Sequence, residues 1–276
     1  LPRKPKVSND YAFQLGWWKT QIGNVLLSEL TPFLISEKRD LLSKKITPRK
    51  IQISHASVNR YLAALSTAIS TAVNEWGWIE DNILRKVSKL KEPRGRVRYL
   101  SDEERERFLL ACKESSNSSL YVAVILALST GARKNEIWKL SWEKVDLKNR
   151  FILFEETKND EPRTVPLQGH AFELMLERSK TRSIETNLVF PSRINPQKNL
   201  NFRRPFSMAL KAAKIENFRW HDLRHCTGSY LVMAGVDMRT VAEILGHKTI
   251  QMTQRYAHLS SEHLKEAHAK MDHKIF

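Results

Sequence analysis

Arg133, Lys158, His221, Arg224, His247 and Tyr256 are side chains of the types needed to cut a phosphodiester without a metal. Such an ester carries its charge on non-bridging oxygens, so the cut needs fixed cationic donors, a nucleophile and an acid for the leaving oxygen. Arginine suits the first role because its guanidinium is planar and permanently charged. A tyrosine hydroxyl suits the second and would leave a phosphotyrosine. Four of the six lie in the last third of the chain, in H-D-L-R-H at 221–225, L-G-H at 245–247 and R-Y-A-H at 255–258. Taken singly, each has a plain reading: Arg133 and Lys158 as exposed cations, Tyr256 as a half-buried ring with a wet hydroxyl. Their joint occurrence carries the chemistry.

H-D-L-R-H also places two histidines at i and i+4 with an acid after the first, like the zinc signature H-E-x-x-H, and His247 offers a third ligand. Against a metal, Arg224 lies one turn from His221 and beside His225, where its charge opposes a dication, and the zinc enzymes use Glu rather than Asp. The expectation is no metal and no other cofactor.

The segments around these residues resemble tyrosine recombinases of the phage integrase family, as found in prophages and mobile elements. The resemblance rests on L-S-T-G-A-R-K-N-E-I-W-K-L-S-W from Leu128 to Trp142, W-H-D-L-R-H from Trp220 to His225, then L-G-H and Y-A-H. It implies that Tyr256 attacks the scissile phosphate to form a 3′-phosphotyrosine and that Arg133 and Arg224 hold the non-bridging oxygens. It further implies that His221 and His247 assist proton transfer and bind the phosphoryl group, and that Lys158 protonates the 5′-oxygen. Lys158 is the least fixed of these positions, and Arg163 is the nearest basic substitute. Strand exchange through a Holliday junction implies a homotetramer on double-stranded DNA attachment sites, with a DNA-bending host factor and an excisionase as further partners. A type IB topoisomerase shares the chemistry, and a recombinase that has lost catalysis would share the DNA binding. The resemblance of the first 93 residues to a core-binding domain argues against the former, and the complete catalytic set against the latter.

The composition agrees with such a partner. The 276 residues carry a formal charge of +16, which attracts polyphosphate by electrostatics and counterion release. Cys112 and Cys226 are too few for a disulfide framework and read as buried reduced thiols. The longest apolar run, 120–128, falls short of the roughly 18 residues that a membrane span needs. A cytoplasmic, nucleoid-associated protein is expected.

The fold implied is mainly α with a small antiparallel β-sheet, arranged as a two-domain DNA clamp: a helical core-binding domain at 1–93, a basic linker at 94–96 and a catalytic domain at 97–276. Pro93 and Gly95 break regular structure in a window holding Lys86, Lys89, Lys91, Arg94, Arg96 and Arg98 against Glu92. An extended chain there puts Arg94, Arg96 and Arg98 on one cationic face. With Lys89 and Lys91, and with Asn59 and Arg60 on the preceding helix, they form the expected DNA-binding set. That helix starts near Ser57, carries Val58, Tyr61, Leu62, Leu65, Ile69, Val73 and Trp76 at steps of three and four, and stops at Gly77.

Downstream, Ser101 to Glu104 reads as a capping box and Leu120 to Ser129 as an apolar helix stopped at Gly131, so that Arg133 falls in the next helix's opening turn. Glu136 either orients Arg133 or faces solvent. Val145 to Pro166 reads as a β-hairpin with Lys158 near its tip. Gly235 and Gly246 are helix stops, and Asp237 and Thr249 are N-caps. His247 then sits in a turn, with Tyr256 near the end of a short mobile helix. His225 is either a support for the site or a satisfied buried histidine, and Asp222 orients its neighbours or caps a helix. Beyond Tyr256, Leu264, Ala267, Met271 and Ile275 form an apolar stripe that docks on its own domain or on a neighbouring subunit. Leu1 in place of a starting Met, with no arm-binding domain before it, suggests a piece of a longer integrase.

Overall fold

The structure is a computed structural model describing residues 8–93, 95–155, 162–260, 269, 271 and 272. Arg94, Lys158, Leu264, Ala267 and Ile275 lie outside the described residues. The chain divides into two compact units, Leu1–Arg94 and Gly95–Phe276.

The first unit is built from α1 (Ser8–Ile22), α2 (Pro32–Ser43) and α3 (His55–Asn74). Trp18, Ile35, Leu42, Val58, Leu62, Leu65, Ile69 and Leu84 form its core, and the Trp18 indole N–H donates to the Tyr61 carbonyl at 2.8 Å, tying α1 to α3. The α3 stripe is buried as its period demands, but the helix begins earlier than Ser57, because Ser54 caps it by accepting from the Ser57 N–H. It also ends earlier. Trp76 lies past the Glu75 cap, so helical spacing no longer governs it, and it is 52% exposed with its ring 4.4 Å from that of Trp78.

Asn59 requires a correction. Its side chain is buried, its amide donates to the Leu90 carbonyl at 2.9 Å and to Glu92 Oε1 at 2.7 Å, and its oxygen accepts from the Leu90 N–H at 2.9 Å. It fastens residues 90–92 to α3, with both amide hydrogens spent inside the first unit. Arg60, Lys89 and Lys91 are exposed.

The second unit contains α4 (Asp102–Lys113), α5 (Ser119–Thr130), α6 (Lys134–Trp138), β1 (Val145–Asp146), β2 (Phe151–Phe154), β3 (Arg163–Pro166), α7 (Gly169–Lys180), α8 (Arg203–Ala212), α9 (Asp222–Met233) and α10 (Met238–Leu245), followed by 3-10 turns at Ile250–Met252 and Gln254–Ser260. Ser101 and Glu104 form the capping box in both directions. Helix α5 is apolar on nearly every side and is the centre of the core, with α4, α7 and α9 packed around it. The hairpin gains a short third strand: β1 pairs antiparallel with β2 through Val145 and Ile152, and β2 with β3 from Phe151–Pro166 to Phe154–Arg163. Cys112 and Cys226 are free and buried, and burial raises their thiols to about 12 and about 11. Among the described residues no helix is long and apolar enough to cross a membrane.

Candidate active site

The site grows from the end of α5. Gly131 closes that helix with φ +61°, and a Cβ built on it would lie 2.5 Å from Leu245 Cδ2 and 3.3 Å from Thr227 Cγ2. A glycine is required both for the left-handed turn and for the approach of α9 and α10. Its carbonyl accepts from Arg224 Nη1 at 2.8 Å, so the turn that ends α5 also aims the arginine of α9.

Two residues on, Arg133 caps α6. Its N–H donates to Glu136 Oε2 at 2.6 Å, its Nη1 to Glu136 Oε1 at 3.1 Å and its Nη2 to the Gly246 carbonyl at 3.2 Å. Arg163 of β3 grips the same carboxylate with two bonds of 2.9 and 2.8 Å. Glu136 therefore does not face solvent; its side chain is 6% exposed. Burial pushes its carboxyl up, but the hydrogen bonds and charge of Arg163, then those of Arg133, hold it below its ordinary value. Arg163 is committed to this carboxylate and is not the mobile cation that a substitute for Lys158 would have to be.

Helix α9 supplies three groups. His221 stands at its N-cap, Arg224 is buried, and His225 lies one turn beyond His221 with the rings 5.3 Å apart. Burial, then the nearby Arg133 and Arg163, lower Arg224 to about 9, so it stays charged at neutral pH. Burial and Arg224 lower His221. His247 follows α10, which Asp237 caps through the Arg239 and Thr240 N–H groups, and Gly246 turns the chain at φ +64°. Its Nδ1 lies 2.8 Å from Thr253 Oγ1. Burial and the Arg224 and Arg133 charges lower it to about 3. The pocket thus combines charged guanidiniums with neutral imidazoles, a set that attracts phosphate oxygens while leaving histidine nitrogens able to move protons.

Tyr256 is only 1% exposed. It sits near the start, not the end, of the last 3-10 turn. Its ring packs on Gly228, where a Cβ would lie 2.7 Å from Cζ, and its hydroxyl is 2.7 Å from His225 Nδ1. Burial raises its pKa, partly opposed by Arg224 and Arg255.

The linker arginines also differ from expectation. Arg96 pairs with Asp222 at 3.0 Å and Arg98 with Glu104 at 2.5 Å, so each holds the start of the second unit to its own helices instead of adding an unpaired charge to one face. Asp222 has the orienting role, accepting from Arg96 and from the Arg219 N–H. Among the described residues no cluster of three or more His, Cys, Asp and Glu is placed to hold a metal ion. Thr253 is the contributor that sequence reasoning did not place in the site; of the two readings of His225, the structure has the support for the site, through the Tyr256 hydroxyl, and Arg163 enters as the partner of Glu136 and not as a substitute for Lys158.

The profile of the phage integrase family matches residues 98–263. The chain belongs to the phage integrase family. It is 32% identical over 238 residues to the shufflon-specific DNA recombinase of Escherichia coli, covering 84% of this chain and 59% of that protein. It is 30% identical to tyrosine recombinase XerC of Thermodesulfovibrio yellowstonii, with 84% of this chain and 80% of that one covered. The fold is that of the XerH site-specific recombinase, solved bound to a palindromic difH substrate as a post-cleavage complex, with a TM-score of 0.74 over 96% of this chain and 79% of that one at 21% identity. The chain spans less than two thirds of the length of the shufflon recombinase.

Proposed function

We propose that this chain is the cutting and rejoining portion of a site-specific DNA recombinase that integrates or excises a phage or mobile element. The observation that supports this best is that Arg133, Arg224, His221 and His247, drawn from well-separated parts of the chain, lie close enough to shift one another's charge, with the buried phenol of Tyr256 beside Arg224. In this reading Tyr256 Oη attacks the scissile phosphorus, the bond to the 5′-oxygen breaks, and a 3′-phosphotyrosine forms. Arg133 and Arg224 hold the non-bridging oxygens, and His221 and His247 hydrogen-bond the phosphoryl group. Lys158 gives the leaving oxygen its proton. The phosphotyrosine keeps the bond energy, so a 5′-hydroxyl from a partner strand reverses the step without a nucleotide cofactor.

Arg60, Lys89 and Lys91 are the exposed cations proposed to meet the DNA backbone from the first unit. The partners are duplex attachment sites and further copies of the chain, four active sites being needed for a complete exchange, with a DNA-bending host factor and an excisionase as accessories. Because Tyr256 is 1% exposed, the scissile phosphate reaches it only if the turn Gln254–Ser260 shifts, and a 3-10 turn with its poorer hydrogen bonds is suited to moving.

The test uses a nicked suicide duplex spanning the junction between the element and host DNA that flanks the gene. Denaturing electrophoresis should show a covalent protein–DNA adduct, and Tyr256→Phe should abolish it while leaving DNA affinity unchanged. An adduct formed by the Phe variant at the wild-type level would remove Tyr256 from the chemistry.

A further inference from the structure

Among the described residues, the hydrogen-bond partner of Tyr256 Oη is His225 Nδ1, at 2.7 Å. Both side chains are buried, and a buried phenol O–H needs an acceptor. Nδ1 meets that need only as a bare nitrogen, with the imidazole proton on Nε2, so Tyr256 donates and His225 accepts. With the proton on Nδ1 instead, the phenolic hydrogen would be left without a partner at a cost that buried polar groups rarely bear.

We propose that His225 is the base that activates Tyr256, an inference that rests on Tyr256 being the nucleophile. As Oη closes on phosphorus, its O–H bond breaks and the proton passes to Nδ1. The Oη–P bond forms, the bond to the 5′-oxygen breaks, and that oxygen takes a proton from the acid of the site. In the return step a 5′-hydroxyl attacks and gives its proton to the conjugate base of that acid, the P–Oη bond breaks, and the imidazolium of His225 gives its proton back to the phenolate. His225 touches the reacting hydroxyl at 2.7 Å as the attack begins, which makes it a catalytic residue. His247 has its Nδ1 on Thr253 Oγ1, which leaves its Nε2 for the phosphoryl group.

The surroundings favour a neutral, accepting imidazole. His225 meets His221, Asp222 and Arg224 on its own helix, Arg255 and Tyr256 on the last 3-10 turn, and His247 beyond α10. Burial, followed by His221 and Arg255, lowers its pKa to about 4. Asp222, itself paired with Arg96, is the group that favours the charged form once the proton has arrived. The phenol is shifted the opposite way by burial, so the proton stays on Tyr256 until the attack makes it acidic.

The experiment measures adduct formation by the intact chain on the suicide duplex as a function of pH. For wild type the rate should not depend on a basic limb across neutral pH. His225→Gln should lower it about 10²- to 10⁴-fold at pH 7, the usual worth of a general base, and should make it climb about tenfold per pH unit because hydroxide must now take the proton. DNA affinity should be unchanged, and added imidazole should restore His225→Ala by at least about tenfold. A His225→Gln variant that is slow but keeps the wild-type pH profile, with no imidazole rescue of His225→Ala, would reduce His225 to a positioning residue and overturn the proposal. So would a rate within about threefold of wild type. If the Gln variant folds poorly, the imidazole arm still decides. Failure of the nucleophile reading is seen separately, as an adduct that survives Tyr256→Phe, and it would take this proposal with it.

Discussion

Glu136→Gln probes the best-defined electrostatic feature of the site. Glu136 is 6% exposed, and the Arg163 side chain facing it is 9% exposed. Gln preserves the shape but removes the charge, and its NH2 group would point a donor at a guanidinium. Each charge-assisted bond is worth about 1.5–3 kcal/mol against about 0.5–1.5 for a neutral one, so weakening the two Arg163 bonds costs roughly 1 kcal/mol apiece. Arg163 then lacks its counter-charge, with the 3–5 kcal/mol typical of a broken buried pair as the ceiling. The expected loss is about 2–4 kcal/mol, or roughly 4–16 °C in the Tm of a unit of this size. Arg133 loses its orienting partner too, so adduct formation should fall by at least about tenfold.

The pH dependence gives a second check. The folded pKa of Glu136 lies below 4.5, so its contribution is fully present above the unfolded value and disappears as pH falls through the folded one. Thermal unfolding of the second unit, followed by near-UV circular dichroism, should show a constant gap between wild type and variant from pH 6 to 8 that closes under acid conditions. Equal Tm values at neutral pH, or a gap that persists at low pH, would refute the argument that an ionised Glu136 binds the two arginines together.

Gly228→Ala sets a gain of up to about 1 kcal/mol in helix propensity against about 1–3 kcal/mol of overpacking, since the new Cβ would lie 2.7 Å from Tyr256 Cζ. Net destabilisation with a slower adduct and unchanged DNA binding is expected, and an adduct rate equal to wild type in kinetic assays would show that the ring yields freely. Asn59→Ala should destabilise the first unit by about 1–3 kcal/mol because its removal strands polar groups of residues 90–92, whereas Arg60→Ala should leave stability unchanged and weaken DNA binding. Chemical denaturation and salt-dependent binding separate the two effects, and the reverse assignment would mean that Asn59 contacts DNA after all.

Much of the local architecture was legible along the chain. The stripe from Val58 to Ile69, the Ser101–Glu104 capping box, the stops at Gly131 and Gly246 and the Asp237 cap all follow from period, caps and glycine, which act over one or two turns. The candidate side chains Arg133, His221, Arg224, His247 and Tyr256 could be picked out because phosphate chemistry restricts which types can serve. Where the local rule ran out, the reading failed: Trp76 fits the helical spacing but lies past the end of the helix, and Tyr256 lies early in a 3-10 turn.

Partner choice was decided by tertiary structure. Nothing near Asn59 in sequence foretold that residues 90–92 would consume its amide, and the two-residue alternation of Arg96 and Arg98 gave no hint of Asp222 and Glu104. Glu136 is three residues from Arg133, but Arg163 reaches it only because β3 folds back beside α6. His225 meets Tyr256 across 31 residues. Propensity and capping are free energies of neighbouring residues, and the chain carries them wherever it goes. Which charge meets which, and which hydroxyl is buried, depends on distances that exist only after the core around α5 has closed and water has been excluded.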